Sequence, residues 1–315
     1  MSRILLIIDG MTDPEFREED LPGLHSMTRL GNRDFVQGDM VDSFHCILHI
    51  LGMGEIPPHK RALAEAYGLG ISVCEDDLLL RASSFVLDAR GRLKGQAGFG
   101  NLLSFPSNPP GMQAFSLGPA QWIFRLPHGR GREGKLCLRQ PFVEKDRDPS
   151  AYLSLDGGAL ASFFRALRSK ERCMIPWEYS VPGPFPRPSE ERAVLGAEPI
   201  VRGMARLLHW PFFRKATMTG DTDTDLPQIL RTALRLADCY PRLLVHVNGA
   251  DMAAHRLDAL EKRRFLVKVD SELIQGLLAS THELVVTADH GSDPHSGRHI
   301  GSPQPVWMQK ERAKE

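Results

Sequence analysis

The stretch Leu243-Leu244-Val245-His246-Val247 runs directly into Asn248-Gly249-Ala250-Asp251. A short, almost continuously apolar run that breaks at glycine predicts a central parallel strand buried on both faces, since a half-solvated strand would alternate. Two other runs share this form. Ile4-Leu5-Leu6-Ile7-Ile8 stops at Asp9-Gly10, and Leu284-Val285-Val286-Thr287-Ala288 leads into Asp289-His290. Each of the three strands thus ends on an acid. Between the last two, Leu257, Leu260, Val267, Leu273, Ile274, Leu277 and Leu278 recur at roughly helical spacing, which predicts one amphipathic crossover helix and a βαβ unit. A similar stripe, Leu226, Ile229, Leu230, Ala233, Leu234 and Ala237, precedes the second strand. The C-terminal third therefore reads α-β-α-β, the pattern of an α/β fold with a mainly parallel sheet flanked by helices. Ligands of such sheets bind at the carboxyl ends of the strands, where Asp9, Asp251 and Asp289 fall.

Composition narrows the function classes. Of 315 residues, 42% are hydrophobic and 25% charged, which fits a folded, water-exposed protein and excludes global disorder or a coiled-coil rod. Lys+Arg and Asp+Glu both total 39, so the broad basic excess of a nucleic-acid binder is missing and a small-molecule partner is expected. The cysteines, Cys46, Cys74, Cys137, Cys173 and Cys239, are odd in number and form no C-x-x-C pair, which points to a reducing cytoplasm. The apolar run before Asp9 is far shorter than the ~20 residues of a bilayer span and has no cleavage region, so no membrane association is expected.

Regular α/β patterning fails in the middle of the chain. Pro109-Pro110, the run Gly129-Arg130-Gly131-Arg132-Glu133-Gly134 and the cluster Pro182, Pro184, Pro186 and Pro188 separate short mixed apolar stretches. We expect a core built from residues 1–75 and 185–315, interrupted by a smaller α+β cap at 76–184.

Chemistry-bearing residues gather at the strand ends. Asp251 and His255 stand at i and i+4, so a helix beginning near Asp251 would put both on one face, as metal ligands require. Asp289 and His290 are adjacent, and His299 follows within a local cluster of histidines that also includes His282 and His295. Each feature alone suits a helix cap or a surface histidine; together with Asp9 they supply a ligand set large enough for two divalent ions. Ser43, in Asp42-Ser43-Phe44-His45-Cys46-Ile47-Leu48, is the candidate nucleophile, which metal coordination would activate. The other possibility is that Ser43 or Asp42 serves as the N-cap of the apolar stretch that follows.

Taken in order, these motifs resemble the archaeal-type cofactor-independent phosphoglycerate mutases of the alkaline phosphatase superfamily, most clearly over residues 3–88 and 175–308. Asp9-Gly10-Met11-Thr12-Asp13 is similar to the family's D-G-x-x-D, and Ser43 with Leu48 and Leu51-Gly52 to its nucleophile segment. Arg61 to Ala66 with Asp77 and Arg81 is similar to its G-R-x-x-x-E-A and D-x-x-x-R. Thr219 to Thr224, Asp251 to His255, Asp289-His290 and His299 with Pro303 and Pro305 complete the series. The resemblance implies an alkaline-phosphatase-like core with one ion held by Asp9, Ser43, Asp289 and His290 and a second by Asp251, His255 and His299. Mn²⁺ is the first choice of ion, ahead of Zn²⁺ and Mg²⁺. It further implies Ser43 as a phosphoserine-forming nucleophile and Arg61 and Arg81 as substrate-binding residues. The other nine histidines read as structural or surface residues.

The chain departs from the family where Phe44 replaces an acid, where Ile229 replaces a lysine, and where only Arg165, Arg168 and Arg172 remain of a tighter Asn/Arg motif. It is also shorter, mainly in the cap. The metal residues are spared and substrate selection is touched. The activity implied is interconversion of 3- and 2-phosphoglycerate, with a metal-dependent phosphomonoesterase acting on another small phosphorylated metabolite as the alternative and a non-catalytic homologue as the third.

Overall fold

The computed structural model describes residues 2–35, 41–96, 111–133, 138, 148–152, 158–188, 190–301 and 303–310. Pro109, Pro110, Gly134 and Cys137 lie outside the described residues. The strands, in chain order, are β1 (Arg3–Ile8), β2 (Thr28–Arg33), β3 (Leu78–Leu87), β4 (Leu93–Gln96), β5 (Gln113–Gly118), β6 (Gln121–Leu126) and β7 (Arg172–Ser180). They continue with β8 (Ala193–Leu195), β9 (Phe212–Phe213), β10 (Arg242–Val247), β11 (Glu283–Thr287), β12 (Gly291–Asp293), β13 (Arg298–Ile300) and β14 (Gln304–Met308). The helices are α1 (Pro22–His25), α2 (Ser43–Ile50), α3 (Arg61–Leu69), α4 (Ala159–Ala166), α5 (Pro199–Leu207), α6 (Leu226–Cys239), α7 (Gly249–His255), α8 (Ala259–Lys268) and α9 (Gln275–Leu278).

Two compact units result, Met1–Ile56 with Pro186–Glu315, and Pro57–Phe185. The first is organised by a seven-stranded sheet of order β2-β14-β11-β1-β10-β8-β9. Its centre is parallel: β1 pairs with β10 on one side and β11 on the other, and β10 continues to β8. At the far edge β14 and β2 run antiparallel. The three apolar runs of the sequence are therefore adjacent strands. Alternation sorts their side chains between two faces. Ile4, Leu6, Ile8, Leu284 and Val286 face a core completed by α6 and the crossover helix, while Val285 packs on the other side with Cys46 and Ile50 of α2.

The crossover differs in detail from a single regular helix. Between α8 and α9 the segment Val269–Ile274 is a π-helical turn, whose wider winding rotates the face that follows. Phe265, Leu266, Val269, Leu273, Ile274 and Leu277 form its buried side. Leu257, Leu260 and Val267, which the spacing also assigned to that side, are 56%, 56% and 44% exposed. Leu257 adopts φ +62° in the turn after α7, so it ends one element and does not belong to the next helix's stripe.

The second unit is an antiparallel sheet in which β3 pairs with β4, β6 and β7, and β6 with β5. Phe163, Phe164 and Leu167, from α4 and its end, pack against Leu80, Phe124 and Met174 of that sheet. The molecule is thus α/β with a mainly parallel central sheet, plus a separate antiparallel sheet. No described helix is long and apolar enough to cross a membrane.

Candidate metal centre

Parallel pairing delivers three acids to one end of the first unit's sheet. Asp9 follows β1 and donates its backbone N–H to Val247 at the end of β10 (2.9 Å). Asp289 follows β11, and Asp251 lies in the first turn of α7, which starts two residues after β10. Gly10 permits the approach: it has φ +64°, and a Cβ there would stand 2.8 Å from the Asp251 Cα.

Ser43 arrives from elsewhere in the chain. Asp42 caps α2, accepting the backbone N–H groups of Phe44 and His45, so Ser43 occupies the first helical position. Its Oγ donates to Asp9 Oδ2 at 3.1 Å and lies 3.4 Å from His290 Nε2. His290 Nε2 is 3.3 Å from Asp9 Oδ1 and 3.7 Å from Asp289 Oδ2. Nearby, His255 Nε2 is 3.2 Å from Asp251 Oδ2 and 3.1 Å from His299 Nε2, which is 3.7 Å from Asp251 Oδ1. All seven residues proposed as ligands from the sequence thus converge in one cluster of the first unit.

The structure adds His246, which had been grouped with the structural and surface histidines. Atoms of Asp9, His246 and Asp289 lie within 4.8 Å of one another, and so do atoms of Asp251, His290 and His299. A lone histidine inside an apolar strand has no telling spacing; its only signal was being the sole ionisable side chain in Leu243–Val247. Ser292, also absent from the sequence-based set, donates its hydroxyl to Asp251 Oδ1.

The donor chemistry fits divalent cations. Asp9 Oδ1 and Asp289 Oδ2 are buried without a hydrogen-bond partner. Burial, then the charges of Asp289 and Asp251, push the Asp9 carboxyl well above the ordinary range, and burial also raises Asp289. At Asp251 burial acts in the same direction but is outweighed by His255, His299 and His290, which hold it well below. Burial pushes His299 down to about 3 and His290 down as well, so both imidazoles are kept neutral, the form that ligates metals. At Asp9 and Asp289, buried carboxylate oxygens with no hydrogen-bond partner make a site that a divalent ion would stabilise.

Arg61 and Arg81 lie in the second unit and share Glu65. Arg81 is buried; its Nε donates to Glu65 Oε2 at 2.6 Å, its Nη2 to Gln121 at 2.8 Å, and its guanidinium stands 4.4 Å from the Trp177 ring centroid. Arg61 Nε donates to the same carboxylate at 3.2 Å, and its guanidinium is 5.4 Å from the Trp177 ring.

Residues 215–315 match the family model described as the Metalloenzyme superfamily. A 2,3-bisphosphoglycerate-independent phosphoglycerate mutase of Picrophilus torridus is 25% identical over an alignment covering 97% of this chain and 88% of that protein. The enzyme of the same name from Methanobrevibacter smithii is 24% identical with the same coverage. A local match to that of Methanopyrus kandleri reaches 34% over 36% of this chain and 28% of the relative. Among solved structures, a protein of Pyrococcus horikoshii shares the fold with a TM-score of 0.67 at 16% identity, over 98% of this chain and 87% of that one. Along nearly its full length the chain is thus similar, at about a quarter identity, to archaeal 2,3-bisphosphoglycerate-independent phosphoglycerate mutases, and its C-terminal third matches the Metalloenzyme superfamily.

Proposed function

We propose that this protein transfers phosphoryl groups through Ser43 and interconverts 3- and 2-phosphoglycerate in the cytoplasm, using two divalent ions, Mn²⁺ in the first instance. The observation that carries this is the placement of the Ser43 hydroxyl, at the start of α2, against Asp9 and His290 at the ends of two parallel strands. Bound ions would lower the pKa of the serine hydroxyl and neutralise charge on the phosphoryl oxygens.

The chain's own residues do the rest. Asp9 orients the Ser43 hydroxyl by accepting its hydrogen bond. In the proposed exchange the Ser43 Oγ–P bond forms as the substrate's ester O–P bond breaks, leaving phosphoserine and glycerate. The other glycerate hydroxyl then takes the phosphoryl group and frees Ser43. Glycerate must stay bound and water must be excluded between these two steps. Arg61 is our candidate for the substrate's carboxylate or phosphate, because a guanidinium fork suits either. Arg81, buried with its donors engaged, serves in this scheme by fixing Glu65 and Trp177 beside Arg61.

The decisive experiment compares, on Mn²⁺-loaded protein, the interconversion of 3- and 2-phosphoglycerate with the release of inorganic phosphate from a panel of phosphoesters. Isomerisation without phosphate release supports the mutase. Phosphate release without isomerisation replaces it with a phosphomonoesterase.

A further inference from the structure

His246 on β10 pairs in register with Ile7, two residues before Asp9. Its side chain is fully buried, and neither ring nitrogen has a hydrogen-bond partner. A histidine kept in a core for packing normally gives at least one ring nitrogen to a carbonyl or carboxylate, because an unpaired buried polar group costs about 1–3 kcal/mol. Here the unsatisfied atoms are not scattered. Asp9 Oδ1 and Asp289 Oδ2 are orphaned in the same way, and the ligand atoms of all three residues fall within 4.8 Å of one another. His246 Nε2 is 3.4 Å from Asp9 Oδ2. Three orphaned groups converging on one point are satisfied together by one cation.

His246 also lines a small cavity. The cavity is lined by Glu198, Gly220, His246 and Asn248, among others, and measures about 10 Å³, room for about one water.

We propose that His246 is an eighth protein ligand of the centre, coordinating the ion at Asp9 and Asp289 and biasing that site toward transition ions over Mg²⁺. The inference rests on the two-ion reading of the site. An added imidazole favours Mn²⁺, Co²⁺ or Zn²⁺ because Mg²⁺ prefers oxygen and gives up its water reluctantly.

The test titrates the full chain, stripped by a chelator, with Mn²⁺ and separately with Mg²⁺ by calorimetry, for the wild type and His246→Leu. We expect two Mn²⁺ ions in the wild type. In the variant, one ion should bind at least about tenfold more weakly with the other unchanged, and the Mn²⁺-over-Mg²⁺ preference should fall by a similar factor. Equal affinities and equal preference in the two proteins overturn the role of His246 while leaving the two-ion site intact. Fewer than two ions in the wild type overturn the two-ion reading, and the eighth ligand with it. A crystal structure of the Mn²⁺-loaded wild type needs no variant to fold. A His246 nitrogen within about 2.3 Å of the ion supports coordination, and a longer distance overturns it.

Discussion

The Ser43 Oγ stands 3.1 Å from Asp9 Oδ2, although 34 positions separate the two residues in the chain. The contact depends on two different local devices. Asp9 is set by the end of a buried parallel strand, and Ser43 by the Asp42 cap that starts α2. Ser43→Ala removes the hydroxyl and leaves the cap, the acids and the imidazoles in place. Turnover should fall at least about 10⁴-fold, as for other removed nucleophiles. Two ions should still be counted by mass spectrometry under native conditions. Full activity in the variant would eliminate Ser43 as the nucleophile.

Chelation should lower the melting temperature, and more so at higher pH. Burial raises the folded pKa of Asp9 and Asp289 above their ordinary 3.8. Such groups stabilise the ion-free fold below 3.8 and lose that contribution as pH rises through the raised folded values. Below those values an ion must displace carboxyl protons to bind, and above them it meets two charged carboxylates, so ion affinity rises with pH. An ion at 100 times its Kd contributes about 2.7 kcal/mol. Melting curves with and without chelator at pH 6 and pH 8 read the difference. A chelator effect that shrinks as pH rises would contradict this account.

Much of this centre was legible in the sequence because a strand buried on both faces must be an almost continuous apolar run, and Ile4–Ile8, Leu243–Val247 and Leu284–Ala288 have that form. Their acids, with the i, i+4 spacing of Asp251 and His255, then mark the site. Other parts carried no pattern. His246 is one residue in an apolar strand, and only the pairing of β10 beside β1 brings it to Asp9. The N-cap of α2, open in the sequence between Ser43 and Asp42, is Asp42 in the structure. Asp42 caps the helix, and that frees the Ser43 hydroxyl to face the acids. The exposed Leu257, Leu260 and Val267 show the converse, since apolar spacing cannot register a tight turn or a π-helical winding.

The segment Thr219 to Thr224, which has no member among the proposed ligands, is tied down beside α7. Arg256 makes a two-pronged ion pair with Asp221 (2.8 and 2.9 Å) and also reaches Glu261 at 2.8 Å. Burial raises the Asp221 carboxyl, but the hydrogen bonds and charge of Arg256, with the Thr222 N–H, hold it below the ordinary range. Its contribution is present above pH 3.8 and is lost as pH falls through the lowered folded value. The pair is part-exposed, so Asp221→Asn should cost only about 0.5 kcal/mol at neutral pH. Urea denaturation at pH 7 should show this deficit, and the deficit should shrink as the pH is lowered below 3.8. A deficit that persists unchanged in acid would assign the loss to packing.

Lys262 anchors the loops on which the centre is built. Its buried ammonium donates to Asp13 Oδ2 and to the Ser292 carbonyl, both at 2.6 Å, and to the Thr12 carbonyl at 3.3 Å. Asp13 ends the Asp9-Gly10-Met11-Thr12-Asp13 motif, and the Ser292 hydroxyl bonds to Asp251. One lysine thus ties the segment after β1 to the segment that supports the acid of α7. Removing one partner of a buried pair leaves the other uncompensated, so Lys262→Met should destabilise by about 3 kcal/mol. Replacing both partners, in Asp13→Asn with Lys262→Met, removes the stranded charge and should recover part of that loss. Because the Ser292 carbonyl loses its anchor, the single variant should also bind one Mn²⁺ about tenfold more weakly. Urea denaturation of the two variants and calorimetric titration of the single one test the two halves separately. A single variant as stable as the double one would mean that Asp13 is not stranded by the loss of Lys262, and unchanged Mn²⁺ affinity would restrict Lys262 to the stability of the fold.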